Sequence, residues 1–210
     1  MGYCSAIGKL NYVGQTSHPE IMYAMHQLAK YSSNPREPHG EALLYLICYL
    51  MLTRDIGLRF SPNSDHGFDC YADADFAGNW NKALAPHDPS TAKSCSGWIV
   101  FYAGCPVIWA SKLPSMVALS TTEAEYIARS QALCDVLPII FLIQEIKEKG
   151  FQVIATIPHV YCKAFEDNSG ALKLARLPKL RPRTKHINTC FHHFLRARLQ
   201  QTHQNLSHWD

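Results

Sequence analysis

The apolar residues of this chain change period near residue 61, and that change limits what it can fold into. Before it they recur at helical spacing, and after it they alternate as in a strand. In the first part, Ser17 is placed to cap a helix entered by Pro19, with Ile21, Ala24, Met25 and Leu28 on one face. Asn34-Pro35 and Glu37-Pro38 interrupt the pattern. A second helix is expected over about 39–52, carrying Leu43, Leu46, Ile47 and Leu50, so that the two pack as a helical hairpin. A short strand is expected at 56–60, and the polar stretch 61–67 reads as a linker between domains.

Phe68, Cys70 and Ala72 then alternate with Asp69, Tyr71 and Asp73, as a half-buried strand does. A polar loop follows at 78–94, then two strands at 97–102 and 107–111 joined by a turn at 104–106. Ser120 or Thr121 is placed to cap a helix through about residue 133, with glutamates in the first turn where the helix dipole favours them. A second helix is expected at 136–149, ended by Gly150. A fourth strand at 160–165, a helix from Asn168 or Ser169 to about 177, a Pro-rich basic link at 178–185 and a last helix at 189–201 complete the reading. Three strands, helices, one strand and more helices make a mixed α/β sheet with flanking helices, not a doubly wound parallel one. The expected organisation is a helical region at 1–60, a linker at 61–67, an α/β domain at 68–201 and a tail at 202–210.

Of the 210 residues, 47% are hydrophobic, enough for one good core or two small ones. No run of eighteen apolar residues occurs, and the most apolar stretch, 136–143, is short and holds Pro138, so no membrane partner is expected. The start lacks the basic-then-apolar order of a signal peptide, and the expected location is intracellular. The eight cysteines include no Cys-x-x-Cys pair, which argues against a zinc ribbon, and they read as reduced, mostly buried small hydrophobes. The net charge is only +3, but residues 151–210 hold nine Lys and Arg against three acids. Such a one-sided basic tail suits a polyanion, because releasing counterions from phosphates drives binding.

Three acidic clusters carry the chemistry: Tyr-Ala-Asp-Ala-Asp at 71–75, Ser-Thr-Thr-Glu-Ala-Glu-Tyr at 120–126 and Glu-Asp-Asn-Ser at 166–169. They fall at a strand end, a helix start and a strand end, so they can converge. Glu123 and Glu125 point roughly 200° apart on a helix, so only one can face a shared site. Asp167-Asn168-Ser169 alone is most often just a helix cap. Three converging carboxylates would hold two magnesium ions about 3.5–4 Å apart, the arrangement that hydrolyses phosphodiesters.

In order along the chain, these motifs resemble the C-terminal part of the Pol polyprotein of copia-type retrotransposons. In the first region the resemblance rests on 3–12, Tyr23-Ala24, Ser33-Asn34-Pro35 and 53–58, similar to the segment joining the reverse transcriptase palm to ribonuclease H. In the second it rests on 73–78, 94–97, 117–126, 167–171 and Arg183-Thr184-Lys185-His186-Ile187, similar to the ribonuclease H domain of that family. The resemblance implies a ribonuclease H-like sheet in which Asp73, Glu125 and Asp167 are catalytic metal ligands for two Mg2+ or Mn2+ ions. It implies that Glu123, Asp75 and Glu166 are non-catalytic neighbours, and that the substrate is an RNA–DNA hybrid. Lys179, Arg181, Arg183, Lys185 and His186 would hold the backbone of that duplex, a basic stretch that reads equally as a solvated linker, and the rest of the reverse transcriptase would be a further partner.

Two departures set the expected activity. The family pattern ends with a fifth strand and a helix bearing a fourth Asp, and nothing after Arg196 resembles them. Asn188 stands where many members carry an Asp. The expectation is therefore a degenerate or fragmentary ribonuclease H with weak or no hydrolysis; the alternative is a catalytically inactive nucleic-acid-binding or partner-binding remnant. Tyr71-Ala72-Asp73 also resembles the Tyr-x-Asp-Asp of polymerase palms, but Ala74 separates the two aspartates, so no polymerase is expected.

Overall fold

The computed structural model describes residues 2–83, 88–151 and 162–165. Three helices come first: α1 (Tyr3–Thr16), α2 (Met22–Ala29) and α3 (Glu37–Leu52). Ala6, Ile7 and Leu10 of α1, Ile21, Met22, Met25 and Leu28 around α2, and Leu43 and Leu46 of α3 bury one another in a common cluster. The expected two-helix hairpin is therefore part of a three-helix unit. Gly14 permits the close approach of α1 to the next turn, since a Cβ there would lie 2.8 Å from Met22 Sδ. Ser17 does not open the second helix: it caps the C-terminal end of α1, and a 3-10 turn at Pro19–Ile21 leads into α2.

No strand forms at 56–60. Apolar residues there lack a partner strand to alternate against, and Ile56 and Phe60 stay exposed. The expected linker is tied down in part: the Asn63 and Ala103 amides donate to the Ala103 and Gly67 carbonyls, at 2.8 and 3.1 Å.

The sheet has four strands in the order β3-β2-β1-β4: β1 (Phe68–Asp75), β2 (Cys95–Tyr102), β3 (Cys105–Lys112) and β4 (Cys162–Phe165). β1–β2 and β2–β3 are antiparallel, and β4 runs parallel to β1 with Phe68 opposite Cys162 and Tyr71 opposite Phe165. The mixed α/β class is as expected. The β2–β3 turn is two residues, Ala103-Gly104, both at positive φ, which matches hairpin twist. It lies earlier than the expected 104–106 turn, and Pro106 is instead inside β3.

One helix, α4 (Thr121–Glu148), replaces the two expected from residue 120 to 149. Pro138 has no N–H for the rung back to residue 134, which favours a break. The helix runs through because Ala132, Leu133, Val136 and Ile140 on both sides of the proline pack on Phe68, Cys70, Trp98 and Val100 of the sheet. By length and composition α4 is apolar enough to cross a membrane, unlike the two shorter helices expected, and much of its apolar surface forms this core. Ser120 caps it as expected: its Oγ accepts from the Glu123 amide at 3.1 Å, while the Glu123 carboxylate accepts from the Leu119 amide at 2.8 Å. Of the seven cysteines among the described residues, Cys70, Cys95, Cys105 and Cys162 are buried and Cys4, Cys48 and Cys134 are exposed.

Candidate functional site

Strand alternation decides where the acids of β1 point. Cys70, Ala72 and Ala74 face α4, where Cys70 and Ala72 belong to one core cluster and Ala74 packs on another formed by Ala118, Ala124 and Ile127. Tyr71, Asp73 and Asp75 share the opposite face. Asp73 is exposed there and lies inside β1, which extends two residues beyond it. Its Oδ1 accepts from the Ala74 amide at 2.8 Å. Asp75 is more engaged: Oδ1 accepts from the Cys95 amide, and Oδ2 accepts from the Tyr23 hydroxyl at 3.5 Å. Asp75 therefore closes the β1–β2 end and links α2 to the sheet.

Glu125 is 8% exposed in the second turn of α4. Its neighbours Ala124 and Ile127 seat that turn against Ala74 at the end of β1. Arg129, one helical turn on, is 4% exposed. Asp73 and Glu125 thus belong to two elements in contact, with Asp73 on the strand face turned away from α4. Asp167, Lys179, Arg181, Arg183, Lys185 and His186 lie outside the described residues. Among the described residues, no three His, Cys, Asp or Glu side chains are grouped to hold a metal ion. The fit to a two-metal site is therefore incomplete in the described part of the chain.

On the same outer face a polar seam joins α2 to the sheet. His26 Nδ1 lies 3.1 Å from Ser111 Oγ and 3.4 Å from Cys95 Sγ, and the two latter atoms are 3.4 Å apart. Burial pushes the His26 pKa down, Lys30 adds to that, and Asp75 opposes it. Burial likewise pushes the Cys95 thiol up. A histidine held neutral in the fold costs stability when it must charge. The loss begins as pH falls below the unfolded value, about 6.5, and grows until pH passes below the depressed folded value. The melting temperature should therefore drop between pH 7 and 5, and His26→Gln should flatten that drop in thermal melts across the range.

The chain is 34% identical over 190 residues to the retrovirus-related Pol polyprotein from transposon TNT 1-94 of Nicotiana tabacum, a match covering 90% of the chain and 13% of that protein. It is 32% identical over 198 residues to the Pol polyprotein from transposon RE2 of Arabidopsis thaliana, covering 94% of the chain and 12% of that protein. The chain belongs to the retrovirus-related Pol polyproteins of copia-type transposons. It spans about an eighth of the length of these relatives. It is also 35% identical over 130 residues to secreted RxLR effector protein 161 of Plasmopara viticola, covering 62% of the chain and 85% of that protein. No family model matches the chain, and no solved structure does.

Within this Pol segment the structure adds residues that sequence reasoning passed over. The first sixty residues carry no evident catalytic grouping, yet His26 and Tyr23 of α2 reach the sheet. Trp109 of β3 inserts against the helical cluster, and its indole N–H donates to the Gly14 carbonyl at 2.7 Å. One signal was available: Trp109 stands between Ile108 and Ala110, so β3 carries apolar side chains on both faces and needs a cover on both.

Proposed function

We propose that this chain is a ribonuclease H-type portion of a copia-type Pol polyprotein, directed to the RNA strand of RNA–DNA hybrids and hydrolysing it weakly or not at all. The observation that supports it is the placing of Asp73 on β1, between the antiparallel β2–β3 hairpin and parallel β4, with the Glu125-bearing turn of α4 seated on the end of that strand. Carboxylates from a central strand and an adjoining helix are the donors that hard divalent cations take. Asp73, Glu125 and Asp167 would hold Mg2+ or Mn2+, which when bound would polarise the scissile phosphate and its attacking water. The basic residues Lys179, Arg181, Arg183 and Lys185, with His186, would grip the duplex backbone, and 2′-hydroxyls would distinguish the RNA strand. The remainder of the polyprotein would be the natural covalent or docked partner.

Weak turnover follows from the same geometry. Asp73 stands on the face away from α4, and the positive charge of Arg129, buried one helical turn from Glu125, would oppose a cation beside that carboxylate. These features also favour the second reading, a non-catalytic remnant that binds hybrid without metal. Thermal melts and hybrid cleavage, each with and without magnesium, separate the two. A cation bound only to the folded chain at a hundredfold excess over its Kd adds about 2.7 kcal/mol. We expect magnesium to raise the melting temperature of the chain and not of Asp73→Asn. Hybrid binding with no magnesium dependence in either protein would favour the remnant, and turnover matching an intact domain would refute the weak-hydrolysis reading.

A further inference from the structure

An open groove of about 960 Å³ runs between the helical unit and the outer face of the sheet, on the side that bears Asp73. Its sheet side is aromatic. Tyr71 and Phe165, opposite each other on β1 and β4, stack with centroids 4.5 Å apart and planes 6° apart, and Phe101 meets Tyr71 edge-on at 5.9 Å. Both stacked rings are 43% exposed. Tyr23 and Trp109 line the groove further along. The titratable acids lining it are Glu20, Asp73 and Asp75, and among the described residues no Lys, Arg or His lines it.

These features call for a particular kind of ligand. Stacking closes one face of each ring, and the negative face that Tyr71 keeps on its other side attracts a flat cation. Side chains two residues apart on one strand face stand roughly 7 Å apart. A guanidinium lying over Tyr71 is therefore within reach of the Asp73 carboxylate. A phosphate would meet three carboxylates, and a neutral apolar ligand would leave them unused. Arginine combines the stacking plane with a donor fork for a carboxylate, whereas the compact lysine ammonium offers only the charge.

We propose that this groove is a docking site for an arginine side chain of a partner polypeptide, laid on the face of Tyr71 that Phe165 does not cover and paired with Asp73. The inference is independent of the nuclease reading, although both use Asp73, so its test is made in EDTA with metal absent. N-acetyl-arginine amide is titrated into the full chain and followed by nuclear magnetic resonance shifts of the tyrosine and tryptophan rings. Saturation in the millimolar range is expected, with N-acetyl-lysine amide at least about threefold weaker. Tyr71→Leu should weaken the arginine probe about fivefold or more, the rough worth of one desolvated cation–ring contact, while Tyr71→Phe keeps it within about twofold. Asp73→Asn should weaken it as well. Tyr71 is exposed, so unchanged circular-dichroism melts are expected to show that these variants fold. No saturable binding, equal binding of the two amides, or binding indifferent to Tyr71→Leu overturns the proposal. None of these outcomes touches the magnesium dependence that tests the nuclease reading.

Discussion

Replacing Phe68 by alanine is expected to remove about 3–5 kcal/mol of stability, the usual cost of deleting a buried aromatic ring whose surroundings cannot close over the gap. Phe68 is 1% exposed and opens β1, which takes β2 on one side and β4 on the other. Its ring lies 4.6 Å from that of Tyr102, its cross-strand partner, and its other neighbour in register is Cys162. Ala132, Leu133, Val136 and Ile140 of α4 belong to the same cluster. Collapse is blocked on three sides, because two hydrogen-bonded strands fix the backbone and a long helix spans the site. A domain's whole margin is about 5–15 kcal/mol, so the loss takes a large share of it. Urea unfolding read by circular dichroism measures the change. A loss under about 1 kcal/mol would show that the cluster is not the core of the sheet.

That core was legible beforehand because its physics is local. Alternation of Phe68, Cys70 and Ala72 against Asp69, Tyr71 and Asp73 marks one strand with one buried face. The capping pattern of Ser120 and Glu123 marks the start of α4 within one residue. The misjudged features are those decided by distant partners. Pro138 reads as a break only while the packing around it is unknown, and residues 56–60 read as a strand only while no neighbour is required. The candidate site was legible to the same extent. That Asp73 and Glu125 belong to contacting elements follows from the order of elements and the resemblance. The alternation already set Asp73 opposite Phe68, Cys70 and Ala72, but which element covers those three, and so that Asp73 faces away from α4, is decided by distant packing. Asp167 and the basic segment lie outside the described residues.

Trp109 makes the second strong expectation, because it joins two cores rather than filling one. Ile108 and Ala110 of β3 pack toward α4, while Trp109 packs on the cluster of α1, α2 and α3 and donates its indole N–H to the Gly14 carbonyl. Among the described residues, the His26–Ser111–Cys95 contacts and the long Tyr23–Asp75 hydrogen bond also cross this seam, each worth about 1 kcal/mol or less net. Burying most of an indole outweighs them together. Full burial would put the cost of Trp109→Ala at about 3–5 kcal/mol, and its partial exposure lowers that to about 2–4. The form of the loss is more telling than its size. With Trp109 in place the helical unit and the sheet should melt together. In Trp109→Ala the helices should come loose first, giving two transitions in calorimetry and early proteolysis within the first sixty residues. Trp109→Phe keeps a ring and drops the donor, so it should cost less and retain one transition. If Trp109→Ala still unfolds in a single step at an unshifted midpoint, the seam is not what couples the two cores. The groove holding Asp73, Tyr71 and Phe165 is walled by both units, so the same substitution should also weaken any ligand bound there.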